Sequence, residues 1–575
     1  MPKISHNFPL NSIFSLVCVV AVVICCFTGI SGRDLWTADE PRVAAITLEM
    51  AETNNFIIPH LSGQPFVEKP PLYFNAAALM LKLMGPMVGN TAAIRLTTAI
   101  FGLGVLLMTY LITRRLWDSR TGILATCILA TMAAFVENFH WIRVDAALAF
   151  FVVATVWSLV EIYFENRMAW MPLAGLFLAG AFLSKGIIGP VLVGIPWAGL
   201  ALIWFFSDQS QGAKYKWFII SHIWILLIFG IVAGVWMTLL YVKGGPVLWD
   251  EWFWVNQVGR FTGTAAKGHI KPGHPFYYVN VLAGNSMPWT PLVLYWFATF
   301  ITGLKTKKDM SRNDIFIFVW GVGSILLLTI SASKRALYLL PVMPGFAIMA
   351  AVSLKQLKSG WFKWYAGLCT LLWLLIITVI LILPLVSWPI PTAVPDCVSA
   401  VLVDFSYHHA VAGLCLALLL LVMFRFRSAI PASYIMILAS AGLYISLMGA
   451  PMHAVDCKKS MAADVRHFVS QVPISGRERI AGVEFSETML GSFYYYTGWQ
   501  VPQISDTERI EKILSGQDNT YDSLLVNCRD KHGNLRPQTG LVPYPYLIRS
   551  ELATGSDQDR KVFWIKGQKS GSTPD

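Results

Sequence analysis

Two adjacent carboxylates, Asp39 and Glu40, stand in WTADEPR (36–42), directly after the first long apolar run of the chain. Asp before Pro41, with an acid in the first turn, is a normal helix start, so a capping role is one reading. The other is chemical: a carboxylate beside the membrane surface can handle a proton or stabilise a developing cation. A capped carboxylate is also a well-positioned one, so both readings stand. VEKPPLY (67–73) poses the same choice for Glu68 and Lys69, held in extended backbone by the prolines that follow. A structural ion pair is the plain reading there. Charges at membrane depth, however, cost about 2.5–3.5 kcal/mol or more and are functional candidates by default. Asp145 opens an apolar run after Arg143-Val144, as an N-cap or as a further acid of a site. Lys185, in SKG (184–186), lies at a turn between two short apolar runs, and reaching to the membrane surface accounts for it.

Three further stretches carry cations and hydrogen-bond donors: NQVGRF (256–261), HIKPGHPFYY (269–278) and SASKRALYLLPVMP (331–344). Arg260, His269, His274, Lys334, Arg335 and Tyr338, facing carboxylates across a cavity, suit a phosphate group on a lipid. Arginine binds phosphate through a two-pronged fork, and lysine supplies a point charge. Any one of these residues could instead anchor a helix end to headgroups. Walker A, GxGxxG and HExxH patterns are absent, which disfavours an ATP-driven pump and a common zinc protease.

The elements that must position these groups are membrane helices. Of 575 residues, 55% are hydrophobic and only 13% charged, with mean hydropathy +0.57. Soluble proteins carry about 25% charged residues. About thirteen apolar runs have the length an α-helix needs to cross hydrocarbon. They lie near 11–30, 95–113, 121–137, 146–164, 170–184, 187–206, 218–241, 277–303, 314–331, 337–354, 364–387, 408–424 and 430–450. Residues 70–84 read as a shorter re-entrant or interfacial helix. The net charge of +11 reflects basic residues at the ends of apolar runs, which fits anionic lipid surfaces and excludes a nucleic-acid reading. With a cytoplasmic N-terminus, the short inner loops are basic. Asp34, Asp39, Glu40, Glu68, Glu137, Asp145, Asp250 and Glu251 then share the outer face. Two outer segments, 31–94 and 242–275, are long enough to be functional. EPRVAAITLEMAETNN within the first reads as a short amphipathic helix. After residue 455 the chain turns polar, and ERIAGVEF, TERIEKILSG and YDSLLVNC alternate strand and helix periods. Residues 456–575 are therefore expected to form a small outward-facing α/β domain after a membrane domain over 1–455. Cys457 and Cys528 could form a disulfide there if it lies outside the cytoplasm.

The order ADEPR, FVEKPPLYFNAAAL, IRL, RVDAALAF, FLSKG, GRF, HPFYY, MPW and SKRALYLLPVMPG resembles the GT-C membrane glycosyltransferases. Within them it is similar to the branch of protein O-mannosyltransferases and bacterial aminoarabinose transferases that modify lipid A. The resemblance covers roughly residues 30 to 350. It implies an all-α polytopic membrane protein that moves a sugar, with inversion, from a polyprenyl phosphate carrier to an acceptor on the outer face. That acceptor would be lipid A, other lipopolysaccharide or protein, and the location a bacterial inner membrane with the C-terminal domain periplasmic. Carried over by motif, Asp39, Glu40 and Asp145 are the acids of the reaction. Lys69, Arg260, Lys334, Arg335 and Tyr338 line the donor phosphate pocket. Glu68, with His274, would meet a divalent metal. Asn256-Gln257 stand where aminoarabinose transferases tend to have Glu-His, which puts a histidine-dependent metal site and the identity of the sugar in doubt. A transporter using the same charges is the alternative of a different class, but no internal repeat supports it.

Overall fold

The computed structural model describes residues 8–36, 38–206, 211–259, 262, 264, 276–306, 310–331, 334–357, 360–382, 432–448, 455–456, 459–531, 534–537, 547–553 and 560–566. The first helix, α1, is Phe8–Phe27. The loop after it holds α2 (Glu40–Thr53), a two-residue hairpin (β1, His60–Leu61; β2, Gln64–Pro65) and α3 (Leu72–Val88). The expected amphipathic helix is α2, with Val43, Ile46 and Met50 buried. The run expected to fall short of a crossing is α3, 17 residues long. Then follow α4 (Asn90–Leu116), α5 (Ser119–Ala130), α6 (Ala133–Phe139), α7 (Asp145–Glu165), α8 (Met171–Lys185) and α9 (Ile188–Phe205). The long α10 (Gln211–Asp250) precedes α11 (Tyr277–Asn285), α12 (Thr290–Lys305), α13 (Arg312–Ile330), α14 (Met343–Gln356), α15 (Trp361–Ile382) and α16 (Ala432–Leu447).

Among the described residues, eight helices are long and apolar enough to cross a membrane, or nine if the bent pair α5–α6 is one span. This differs from thirteen uniform spans, for local reasons. The run at 121–137 bends by 64° where α5 gives way to α6. There the Thr131 hydroxyl bonds back to the Cys127 carbonyl at 2.7 Å, a contact that bends helices. The run at 277–303 is split into α11 and α12 around Pro288, which has no N–H for a helix interior. The segment expected as an outer loop from 242 stays helical, through a break at Gly245 and a π-helical stretch Glu251–Gly259. The run at 408–424 lies outside the described residues.

The polar C-terminal part begins with α17 (Ala462–Ser470), β3 (Ile480–Val483), α18 (Glu487–Thr497) and α19 (Thr507–Leu514). Strands β4 (Ser523–Lys531), β5 (Asn534–Pro537), β6 (Leu547–Ala553) and β7 (Arg560–Lys566) complete a sheet of order β3-β4-β7-β6, with β5 on β4. Strands β3 and β4 are parallel and the other pairs antiparallel. These elements do not stand apart from the loop after α1. Val43, Ile46 and Met50 of α2 and Tyr73, Phe74 and Leu81 of α3 share one buried cluster with Val465, Phe468, Met489, Phe493 and Trp499. Cys457 and the Cys528 side chain lie outside what is described, and with them the disulfide expectation.

Candidate active site

The site is built where several helix ends meet. The Asp39 carbonyl starts α2 by accepting from Val43 N at 3.1 Å, but its carboxylate caps nothing. It turns instead to Arg42, one helical turn on, with Oδ1 2.8 Å from Nη2, while Arg143 Nη1 stands 3.7 Å from Oδ2. The first nitrogen of the Arg42 fork faces Glu68 at 3.6 Å and is paired to Glu487. Glu68 lies equally 3.6 Å from Lys69. Pro70 and Pro71 directly precede α3, which begins at Leu72, and Glu68 and Lys69 before them line the same chamber as Asp39.

Asp145 is the first residue of α7, not its cap, and it pairs with Lys185, the last residue of α8. Gly186 then reverses the chain at φ +78, where a side chain would be strained and a Cβ would meet the Gln257 amide oxygen at 2.0 Å. That oxygen accepts from Ile187 N at 3.1 Å, which places Gln257 in the wall of the site. Lys185 Nζ also stands 4.6 Å from the centre of the Tyr338 ring, close enough for a cation–π contact.

Two chambers result. A narrow polar one is lined by Asp39, Arg42, Arg143, Asp145 and Arg335. The second, of about 300 Å³, is lined by Ile187, Ile188, Val191 and Val258 with the amides Asn256 and Gln257. Glu68, Lys69, Lys185 and Tyr338 line both and form the wall they share. Burial pushes the Asp39 carboxyl up, but Arg42, then Lys69, Arg143 and Arg335, outweigh it and hold the carboxyl below its ordinary value. For Lys69, burial lowers the ammonium below its ordinary value, against the pull of Glu68.

The residues singled out in the sequence therefore divide. Asp39, Glu68, Lys69, Asp145, Arg335 and Tyr338 meet around the chambers. Glu40 does not join them. Fully buried, it is held by Arg33 at 2.7 Å and Arg95 at 3.1 Å and accepts from Trp36 N and Ile142 N at 2.8 and 2.9 Å. Burial would raise its carboxyl, yet Arg95 and Arg33 bring it down to about 2. Its position is that of a structural anchor tying the loop after α1 to α4 and to the segment before α7. Lys334 donates to the Ser331 carbonyl at 3.1 Å and lines neither chamber. Arg260 and His274 lie outside the described residues.

The metal expectation involved Glu68 with His274, and His274 lies outside the described residues. Among the described residues no group of three His, Cys, Asp or Glu could hold a metal ion, and Glu68 faces two cations. Sequence reasoning missed the roles of Arg42, Arg143, Lys185 and Glu487. The first three lie inside the stretches ADEPR, RVDAALAF and FLSKG, and that placement was the available signal. Nothing in the sequence marks Glu487.

A family model described as dolichyl-phosphate-mannose-protein mannosyltransferase matches residues 68–237. The chain is 26% identical over 372 residues to an undecaprenyl phosphate-alpha-4-amino-4-deoxy-L-arabinose arabinosyl transferase of Proteus mirabilis, covering 61% of this chain and 63% of that protein. It is 28% identical over 342 residues to such a transferase of Pseudomonas fluorescens, covering 57% of each. The chain thus matches less than two thirds of the length of these relatives. Among solved structures, ArnT from Cupriavidus metallidurans bound to undecaprenyl phosphate superposes with TM-score 0.70 at 16% identity, over 98% of this chain and 99% of that one. The chain has the GT-C fold. The archaeal oligosaccharyltransferase AglB from Archaeoglobus fulgidus is a second GT-C protein with this likeness, at TM-score 0.50 and 12% identity over 90% of this chain. In this chain, residues from the loop after α1, α7, α8 and the turn before α14 meet around the two chambers.

Proposed function

We propose that this multi-pass membrane protein is a glycosyltransferase that takes a sugar from a polyprenyl phosphate, undecaprenyl phosphate in the first instance, and transfers it to lipid A. The observation that carries this reading is the wall of Glu68, Lys69, Lys185 and Tyr338, shared by an apolar chamber and a polar one. A donor of this class has the same division: an apolar chain, a phosphate at the junction and a polar sugar beyond it. Lys69 and Lys185 stand at the junction, where the phosphate leaves with its negative charge as the bond to the anomeric carbon breaks. Fixed cations placed where charge develops stabilise such a transition state. On the sugar side Asp39 supplies the anionic charge that an oxocarbenium-like centre calls for.

The state of Asp39 bears on the acceptor. Arg42 at 2.8 Å and Arg143 at 3.7 Å engage the two oxygens of the Asp39 carboxylate, which favours its charged form. A carboxylate so engaged suits a nucleophile that arrives already ionised, such as a lipid A phosphate, whose oxygen attacks the anomeric carbon without giving up a proton. Aminoarabinose is the sugar named for the relatives of this chain, and the bacterial inner membrane, with the site on its periplasmic face, is the corresponding location. The test is mass spectrometry of lipid A and of periplasmic glycoproteins from cells with and without the protein, beside an Asp39→Asn strain. Loss of a pentose-like addition on lipid A in both deficient strains is the expected result. A hexose lost from protein or core sugar replaces sugar and acceptor while keeping the mechanism, and no change in any pool overturns the proposal.

A further inference from the structure

We infer that the C-terminal part of the chain completes the active site, with Glu487 as a positioning residue that holds Arg42 against Asp39. Three contacts from one face of α18 converge on the start of α2. Glu487 pairs with Arg42 Nη1. The Thr488 hydroxyl donates to the Ala38 carbonyl at 2.7 Å. One turn on, a Cβ at Gly491 would meet the Pro41 carbonyl oxygen at 2.6 Å and the Arg42 backbone nitrogen at 2.8 Å, so only glycine lets the two helices come this close. At the far end of α2, the Tyr494 hydroxyl donates to Glu52 at 2.6 Å.

The geometry of Arg42 gives this clamp a chemical meaning. Its Nη2 serves Asp39 at 2.8 Å, while Nη1 faces Glu68 at 3.6 Å and is drawn off by Glu487. Without Glu487, Nη1 closes on Glu68, which turns the fork away from Asp39 and takes Glu68 from Lys69. Lys69 and Lys185 remain in the shared wall. The carboxylate at the reacting centre is then displaced while the phosphate anchors stay in place. Glu487 is 48% exposed, so its ion pair adds little to stability and a polar replacement is tolerated by the fold.

The inference rests on the proposed transferase reading for the role of Asp39, and the test separates the two. The full chain in lipid nanodiscs is compared with Glu487→Gln, Glu487→Asp and Gly491→Ala for undecaprenyl phosphate binding, transfer kinetics and hydrogen exchange over residues 38–45. In Glu487→Gln we expect kcat to fall about 10- to 100-fold, the effect of small misplacements at a reacting centre. The Kd for undecaprenyl phosphate stays at its wild-type value, Glu487→Asp recovers part of the rate, and Gly491→Ala reproduces the loss by lifting α18 off Arg42. Wild-type kcat in Glu487→Gln overturns the inference, as does a parallel loss of binding and thermal stability, which would make the contact merely structural. If the wild-type chain neither binds undecaprenyl phosphate nor transfers, the transferase reading falls, and hydrogen exchange decides. Faster exchange over 38–45 in Glu487→Gln keeps the clamp, and unchanged exchange overturns it.

Discussion

Lys185, the last residue of α8, pairs with Asp145, the first residue of α7, in the region where the polar chamber meets the apolar one. Two antiparallel helices thereby bring opposite charges to one end of the fold, and the following glycine turn keeps the lysine there.

If Lys185 holds the carrier phosphate, Lys185→Met removes a charge-assisted contact of about 1.5–3 kcal/mol. Affinity for undecaprenyl phosphate then falls about 10- to 100-fold. Titration of the lipid into purified protein measures it. An unchanged Kd would return Lys185 to anchoring the helix end.

Asp39→Asn is expected to abolish transfer while leaving protein level unchanged. The wild-type carboxyl is held below its ordinary value of about 3.9, so the acid limb of activity due to this group lies below about pH 4. Arg143→Ala removes one of the cations that hold it down and moves that limb to higher pH. A pH–rate profile of both proteins checks the shift, and identical acid limbs would remove Arg143 from the electrostatics of Asp39.

Glu40 predicts a stability effect instead of a catalytic one. Glu40→Gln leaves Arg33 and Arg95 buried without their counter-charge, a loss of about 3–5 kcal/mol by analogy with broken buried pairs. Its folded-state value of about 2 lies below the ordinary 4.5, so the stability it adds is present above that ordinary value and is lost as pH falls from about 4.5 towards about 2. Thermal unfolding of wild type and Glu40→Gln across this range should converge at the acid end. A variant as stable as wild type at pH 7 would contradict the anchor role.

The cation-lined wall also predicts that transfer by the purified protein survives a divalent-metal chelator. On the proposed mechanism Lys69 and Lys185 supply the positive charge that the leaving phosphate needs, and Glu68 is engaged by Arg42 and Lys69. Activity lost to chelation and restored by one added cation would require a metal and bring His274 back into consideration.

The sequence by itself determined the membrane character, the place of most apolar helices through residue 382, α2, and the strand and helix periods of the C-terminal part, but not the bend between α5 and α6, the division into α11 and α12, or the helix that continues past residue 241. What it determined follows from hydrophobic length or periodicity, which are local properties of a chain. It also marked Asp39, Glu68, Lys69, Asp145, Arg335 and Tyr338, because charge or polarity beside an apolar run is conspicuous wherever it occurs. Only the tertiary structure decided which of the neighbours Asp39 and Glu40 faces the chamber. On a helix start, successive side chains point about 100° apart, and the packing of α4 with Arg95 took Glu40 inward. The same holds for Lys185, whose partner is 40 positions away, and for Glu487, whose partner is 445 positions away. Ion pairs between such distant residues depend on how helices are brought together, and no local period of the sequence records that.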